Sequence, residues 1–303
     1  MCQNVKIREQ DNNRFGHSSL HLFDRGFHMI RALCLKIASA VMKMDFTFVK
    51  WHLSRIADKN AKRHTWKKEC SLLLEWLKDT SQEPPYKVFT LDKKAKVPFY
   101  TFSVLPIVTC PGAGDCARFC YSLKAWRYPC AFLRQLQNTI LILLQSDHLT
   151  AAFNALPIGT DLRLYVDGDF DSYETICFWF ALLETRHDLN VYGYSKSWEE
   201  LIEYGTFPSN YTLNVSSGSI HTEQTKQDIL KLARGEFIAL PVDKGLQGKY
   251  GTKEYKASLR QSASAAGIDR YFACPGLCGS CTKKGHACGS DRFQDVPILI
   301  GIH

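Results

Sequence analysis

Several absences narrow the field before any motif is considered. No uninterrupted apolar stretch approaches the roughly 18 residues that a membrane span needs. The most apolar early segment, residues 20–44, is broken by Arg31, Lys36 and Lys43. That pattern suits an amphipathic helix better than a span or a cleaved leader, so no membrane partner is expected. Also missing are a Walker A loop, a well-placed Gly-x-Gly-x-x-Gly, a Gly-x-Ser-x-Gly elbow and a His-Glu-x-x-His pair. These absences disfavour P-loop nucleotide hydrolysis, dinucleotide binding, α/β-hydrolase chemistry and the common zinc-protease site. No solenoid-type repeat is evident. Without an export signal the expected compartment is the reducing cytoplasm, where clustered cysteines serve metals or catalysis rather than disulfides.

Cysteine is what the chain has in quantity: 12 in 303 residues. Seven of them fall into two groups separated by about half the chain. The first is Cys110-Pro-Gly-Ala-Gly-Asp-Cys116-Ala-Arg-Phe-Cys120, with spacing C-x5-C-x3-C. Thiolates are soft anionic donors, and close spacing reduces the entropy lost in gathering them around iron or zinc. Gly112 and Gly114 let the backbone curl tightly, so that amide N–H groups can face bound sulfur. Zinc sites typically use paired C-x2-C knuckles, which this group lacks, so an iron–sulfur cluster is the expectation here. Three ligands would leave one position of a [4Fe–4S] cluster open.

The second group is Cys274-Pro-Gly-Leu-Cys278-Gly-Ser-Cys281, followed by His286 and Cys288. Four thiols suit either a closed zinc site or a coordinatively saturated iron–sulfur cluster, and the residues leave that choice open. Cys34 and Cys70 lie on apolar helix faces and are expected to act as small hydrophobes. Cys130 and Cys177 are expected to be structural, although Cys130 is close enough to the first group to be a reserve ligand.

The periodicities predict an α/β fold: a partial (β/α) barrel-like core with cysteine-rich cluster loops and an N-terminal helical region. Residues 1–85 form the basic helical region, with polar, loose residues 1–19. Within it Leu33, Ile37 and Val41, and then Trp66, Cys70, Leu73 and Leu77, recur at helical spacing. Met44 could serve as an alternative start to Met1. Ser81-Gln-Glu-Pro-Pro85 is the best boundary. Residues 86–270 form the core: strands at Tyr86–Leu91 and Phe99–Leu105 lead into the first cysteine loop, and a helix follows from about Tyr128 to Ser146. Strands Leu162–Val166, Leu189–Tyr194, Tyr211–Val215 and Glu236–Val242 then alternate with helices, the pattern of parallel βαβ units. Residues 271–303 are the cysteine-rich C-terminal segment.

Polar residues gather after each of these strands: Asp167-Gly168-Asp169, Ser195-Lys196, Ser216-Ser217 and Asp243-Lys244. In α/β barrels the C-terminal strand ends form the active face. Asp169, Lys196 and Asp243 are therefore candidate catalytic residues, and Gly168, Asp169, Ser195 and Ser216 candidate cofactor-binding ones. Asp167 and Asp169 alternate at a strand end, so only one of them is expected to face the mouth.

These pieces resemble the phage- and plasmid-encoded gene-product-88-like proteins, often described as iron–sulfur-binding. The matching residues are Leu105-Pro106, Cys110-Pro-Gly-Ala113, Cys116, Cys120-Tyr121, the strand Arg163–Phe170 with its Asp-Gly-Asp-Phe ending, Tyr194-Ser-Lys196 and the terminal cysteine group. The resemblance spans roughly residues 86–290 and implies a protein of a mobile element. More remotely, the arrangement is similar to the radical S-adenosylmethionine barrels. That similarity implies a cluster on Cys110, Cys116 and Cys120, S-adenosylmethionine as cofactor, its amino group held by Gly168 and Asp169, and an external reductant as partner. The usual loop of that superfamily is C-x3-C-x2-C, a spacing found here in Cys274–Cys281.

The excess of positive charge, a net +8, supports a competing expectation. Lys50, Arg55, Lys59, Lys62, Arg63, Lys67 and Lys68, interleaved with Trp51 and Trp66, could bind nucleic acid through phosphates and base stacking, as could the loop from Lys244 to Lys253. Zinc would then be structural. A host-interaction protein retaining an inactive metal barrel is the third expectation.

Overall fold

The computed structural model describes residues 21–302 apart from 60–63, 94, 96, 280 and 282–285. Residues 1–19, Lys62 and Arg63 lie outside the described residues. Three N-terminal helices, α1 (His21–Val41), α2 (Phe46–Lys59) and α3 (His64–Trp76), pack on one another, and α1 and α3 also pack against α5 (Pro129–Leu143). Their apolar stripes, including Ile37, Val41, Leu53, Ile56, Cys70 and Leu73, are buried and continue into the core of the rest of the chain. Cys34 and Cys70 sit in that interior, where burial raises both thiols above their ordinary range. Among the described residues, no helix is long and apolar enough to cross a membrane.

The core is one eight-stranded sheet. Its strands are β1 (Thr90–Asp92), β2 (Phe99–Thr101), β3 (Asp161–Leu164), β4 (Asn190–Ser195), β5 (Tyr211–Ser216), β6 (Gly235–Leu240), β7 (Phe272–Ala273) and β8 (Ile298–Gly301), in the order β1-β2-β3-β4-β5-β6-β8-β7. Only β1 and β2 pair antiparallel; every other pairing is parallel. The crossovers that follow β3, β4, β5 and β6 run through α7 (Tyr173–Glu184), α8 (Trp198–Tyr204), α9 (Glu223–Leu230) and α10 (Lys253–Ala265), and the parallel crossover from β2 to β3 contains α5. A short α4 (Ser122–Ala125) precedes α5, and α6 (Asp147–Asn154) leads into β3. The four central strands and the three helices between them agree with the expected alternation, whereas α10 was not expected. Tyr86–Phe89 lie outside β1, and the C-terminal segment contributes β7 and β8, which were not expected. Alternation cannot signal β7 and β8, because the first has two residues and the second four.

Local chemistry places the helices. Ser146, Ser172, Thr222 and Thr252 cap α6, α7, α9 and α10, each side-chain oxygen accepting from a backbone N–H two or three residues on. Such caps satisfy donors that the first helical turn leaves unpaired. Pro129 opens α5, where its missing N–H costs nothing. Between the sheet and its helices, Trp179 is fully buried with its ring edge-to-face on Phe102 at 4.9 Å. Its indole N–H donates to Tyr165 Oη at 2.9 Å.

The sheet stays open at β1 and β7, and the C-terminal cysteine segment crosses that gap. Val97, beside β2, donates its N–H to the Gly279 carbonyl at 2.9 Å. A Cβ at Gly279 would stand 2.5 Å from the Val97 carbonyl oxygen, so glycine is what permits this contact. The segment also reaches the concave face, where Tyr192 packs on Gly289 and bonds His286 Nδ1 through its hydroxyl at 2.9 Å.

Candidate functional site

The strand ends dictate where chemistry can collect. After β2 the chain leaves the sheet and lays the first cysteine loop across the C-terminal ends of β4 and β5. Backbone bonds fix it there: Gly114 N–H donates to Gly218 O at 3.0 Å, and Ile220 N–H donates to Gly112 O at 3.1 Å. Close approach explains the glycines, because a Cβ at Gly112 would lie 1.7 Å from the Lys196 carbonyl oxygen.

Below this loop lies a cavity of about 350 Å³. One wall carries Cys110, Cys116 and Cys120 with Tyr121; another carries Cys274 and Cys278. Between them stand Arg163, Asp167, Asp169, Lys196 and Ser216, with Tyr194, Phe237 and Ile300 supplying apolar surface. The two cysteine groups, remote in sequence, therefore meet at one site. Cys281 and Cys288 pack beside Cys274 in the same small cluster, just behind the wall.

Each sulfur of the second group has a hydrogen-bond donor. Cys274 accepts from Gly276 N–H and Cys281 from Ala287 N–H, both at 3.4 Å. Cys278 accepts from Arg163 Nη1 at 2.9 Å, and Cys288 from the Tyr194 hydroxyl. Donors aimed at sulfur favour the thiolate, the form that binds metal. Against this, burial of the free thiols pushes Cys274 up to about 11 and Cys288 and Cys110 up to about 12. Loading a metal would have to release those protons. Among the described residues, no group of three or more His, Cys, Asp or Glu side chains is arranged to hold a metal ion as it stands. The donor set nevertheless fits thiolate-bound metal in its chemistry: seven thiols, sulfur-directed N–H and O–H groups, and glycines at the close backbone contacts.

The expected site residues divide by place. Gly168, Asp169, Lys196 and Ser216 line the cavity. Lys196 Nζ donates to Ser216 Oγ at 2.7 Å. Asp169 is buried, and both its oxygens accept: Oδ1 from Ser195 Oγ at 2.7 Å and Phe170 N–H at 2.9 Å, Oδ2 from Lys196 N–H at 2.6 Å. It thus ties the loop after β3 to the loop after β4. Ser195 stands behind Asp169 rather than on the wall. Asp243 is exposed after β6 and is not among the lining residues, because the chain turns outward there as Asp243 N–H bonds Ser258 Oγ of α10.

Both Asp167 and Asp169 line the cavity, contrary to the expected alternation. β3 ends at Leu164, and the left-handed backbone at Tyr165 (φ 56°) and Gly168 (φ 81°) breaks the strand's two-residue period. Asp167 Oδ2 accepts from Gln135 Nε2 at 2.9 Å, and burial raises its carboxyl above the usual range. Arg163 and Tyr121 were missed as site residues. The signal for Arg163 was an arginine between Leu162 and Leu164, which turn to the opposite face of a buried strand.

Burial pushes Asp169 up to about 6, against the N–H and O–H groups that favour its charge. The folded value exceeds the unfolded one, so native protein binds more protons between them. Asp169 therefore contributes stability fully below its unfolded value near ~3.9, and that contribution is lost as pH rises towards 6. Urea unfolding of metal-free protein should show the wild-type minus Asp169→Asn stability difference falling between pH 4 and 6 and level above 7. A difference independent of pH would contradict the assignment.

On the N-terminal helices, Trp51 is exposed with Arg55 4.6 Å over its ring. Trp66 is buried against Phe132 and is not available to stack on bases.

A family model described as gene product 88 matches residues 51–294, more than half of the chain. No curated protein and no solved structure matches it. With its cysteine loop, Asp-Gly-Asp turn and terminal cysteines all inside the matched span, the chain belongs to the gene product 88 family.

Proposed function

We propose that this protein binds metal through both cysteine groups and acts as a redox enzyme on a small substrate held in the shared cavity. The observation that carries the reading is the convergence of the two groups on one cavity, with Arg163, Asp167, Lys196 and Ser216 between them. Cys110, Cys116 and Cys120 would hold an iron–sulfur cluster with one open position. Cys274, Cys278, Cys281 and Cys288 would hold a closed centre, either a second cluster or zinc. When bound, an iron–sulfur cluster supplies one-electron chemistry that side chains lack.

The protein's own residues supply the rest. Lys196 presents a cation at the wall, held by Ser216. Asp169 fixes the backbone beneath it, and Tyr121, tied by its hydroxyl to Val166 O at 2.7 Å, covers the side of the cavity next to Cys120. Tyr194, Phe237 and Ile300 exclude water from the floor. A mobile-element origin, supported by the family match, and S-adenosylmethionine with a protein reductant, supported by three thiols placed on one cavity with Gly168 and Asp169, are further parts of this reading.

Iron, sulfide and zinc should be determined per chain after anaerobic purification, with Cys116→Ala and Cys278→Ala as partners. The expected result is brown protein in which each variant loses the metal of its own centre and keeps that of the other. Colourless protein with zinc alone would overturn the redox reading, and metal-free protein would overturn both sites. S-adenosylmethionine cleavage on reduction tests the cofactor separately.

A further inference from the structure

Arg163 lines the shared cavity, yet its surroundings are unusual for an arginine. It stands on the concave side of β3, and its guanidinium lies 4.6 Å over the Tyr194 ring. Nη1 donates to Cys278 Sγ at 2.9 Å, and Nε is buried without a hydrogen-bond partner. None of the ion pairs among the described residues involves it; the nearby Asp167 is engaged by Gln135 instead. A buried cation without a carboxylate is costly unless other negative charge faces it. Among the described residues, the Cys278 sulfur is the group it bonds directly, with the Tyr194 ring beneath it and the Asp167 carboxyl on the same cavity. Tyr194, under the guanidinium, in turn donates to Cys288. Two of the four terminal thiols thus depend on one Arg163–Tyr194 stack.

We propose that Arg163 is the counter-cation of the C-terminal thiolate centre and sets how firmly that centre holds its metal. The proposal rests on the metal-binding reading of Cys274, Cys278, Cys281 and Cys288. Four thiolates around a divalent ion, or around an oxidised cluster, carry net negative charge, and a guanidinium at hydrogen-bond distance compensates it. The same guanidinium faces the cavity that Cys110, Cys116 and Cys120 line, so it stands between the two centres. Arg163 is a positioning residue: it acts through Cys278 and Tyr194, not on a substrate.

The test uses full-length protein with Cys110, Cys116 and Cys120 changed to alanine, so that only the terminal centre can load. A chelator is added, and metal loss is timed for the parent, Arg163→Lys, Arg163→Gln and Tyr194→Phe. Loss is expected about tenfold faster in Arg163→Gln, within threefold of the parent in Arg163→Lys, and intermediate in Tyr194→Phe. These magnitudes match second-sphere partners in general, which change metal affinity ~10–100-fold. The sulfur-to-metal charge-transfer band of the cobalt-substituted protein should also move in Arg163→Gln, which a purely structural role would leave in place. If the triple-alanine parent does not fold, the same loss is timed in the otherwise wild-type chain as the fraction of metal insensitive to Cys116→Ala. Equal rates and an unmoved band in Arg163→Gln overturn the proposal. A parent without metal instead overturns the metal reading on which it rests, so the two failures are distinguishable.

Discussion

Alanine at position 112 is expected to dislodge the first cysteine loop. Its Cβ would stand 1.7 Å from the Lys196 carbonyl oxygen and 2.6 Å from His221 Nε2. The carbonyl belongs to backbone that Asp169 holds from the other side, since Asp169 Oδ2 accepts the Lys196 N–H at 2.6 Å. His221 cannot yield easily either: its ring stacks on Trp198 at 5.1 Å, and Nε2 bonds the same Lys196 carbonyl at 2.7 Å. The loop must therefore move, breaking the Ile220–Gly112 backbone bond and the adjoining contact of Gly114 with Gly218. Overpacking of this kind costs about 3 kcal/mol, at the upper end of its usual range, which corresponds to a melting-temperature drop of roughly 5–10 °C. Metal analysis should show loss from the Cys110 group and retention at the terminal group. Gly159→Ala is the control, because its Cβ meets nothing within 4 Å and its only cost is a left-handed backbone (φ 73°), about 1 kcal/mol. A Gly112→Ala melt no lower than that of Gly159→Ala would show that the loop is not docked as described.

Arg234→Ala should have the converse effect, releasing the terminal cysteines while leaving the first loop in place. Arg234 is buried immediately before β6. Its Nε donates to Asn214 Oδ1 at 2.7 Å, and Nη1 donates to the carbonyls of Val296, at 3.1 Å, and Phe293. Asn214 passes the connection on, its Nδ2 donating to Cys288 O at 2.8 Å and Gly193 O at 3.1 Å. Truncation leaves these acceptors buried and unpaired. Charged hydrogen bonds contribute ~1.5–3 kcal/mol each, so a loss of roughly 3 kcal/mol or more is expected. Arg234→Lys, with one donor group in place of a fork, should fall between. Denaturant unfolding gives the stability, and the metal content of the Cys116→Ala background gives the state of the terminal group. Retained stability and metal together would mean that the segment is anchored elsewhere.

These two residues also show what a sequence can and cannot disclose. Gly112 was conspicuous, because a glycine between two cysteines signals a tight backbone. The central βαβ alternation was equally plain, since each strand is an apolar run and three of the four helices that follow opens on a Ser or Thr cap. Arg234 gave no such sign, and Arg163 only the faint one of an arginine between two leucines of a strand. Each is one basic residue in or beside a strand, and its meaning depends on partners about 60 and 115 positions away in the chain. The meeting of the two cysteine groups was hidden for the same reason. It requires β8 to insert between β6 and β7, a crossover that no local periodicity encodes. Asp169 and Lys196 were legible as polar residues after strands. That Asp169 spends both oxygens on neighbouring loops is a tertiary fact, as is the departure of Asp243 from the cavity.

The contact between Val97 and Gly279 has a consequence for the life of the chain before it is complete. Those residues are separated by more than half the polypeptide, and until they meet, the backbone beside β2 presents an unpaired rim of donors and acceptors. Such rims recruit strands from other molecules. Contacts this distant in sequence form late, because closing so long a loop is entropically costly. The newly made protein thus passes through an interval in which its neighbours are its chief hazard.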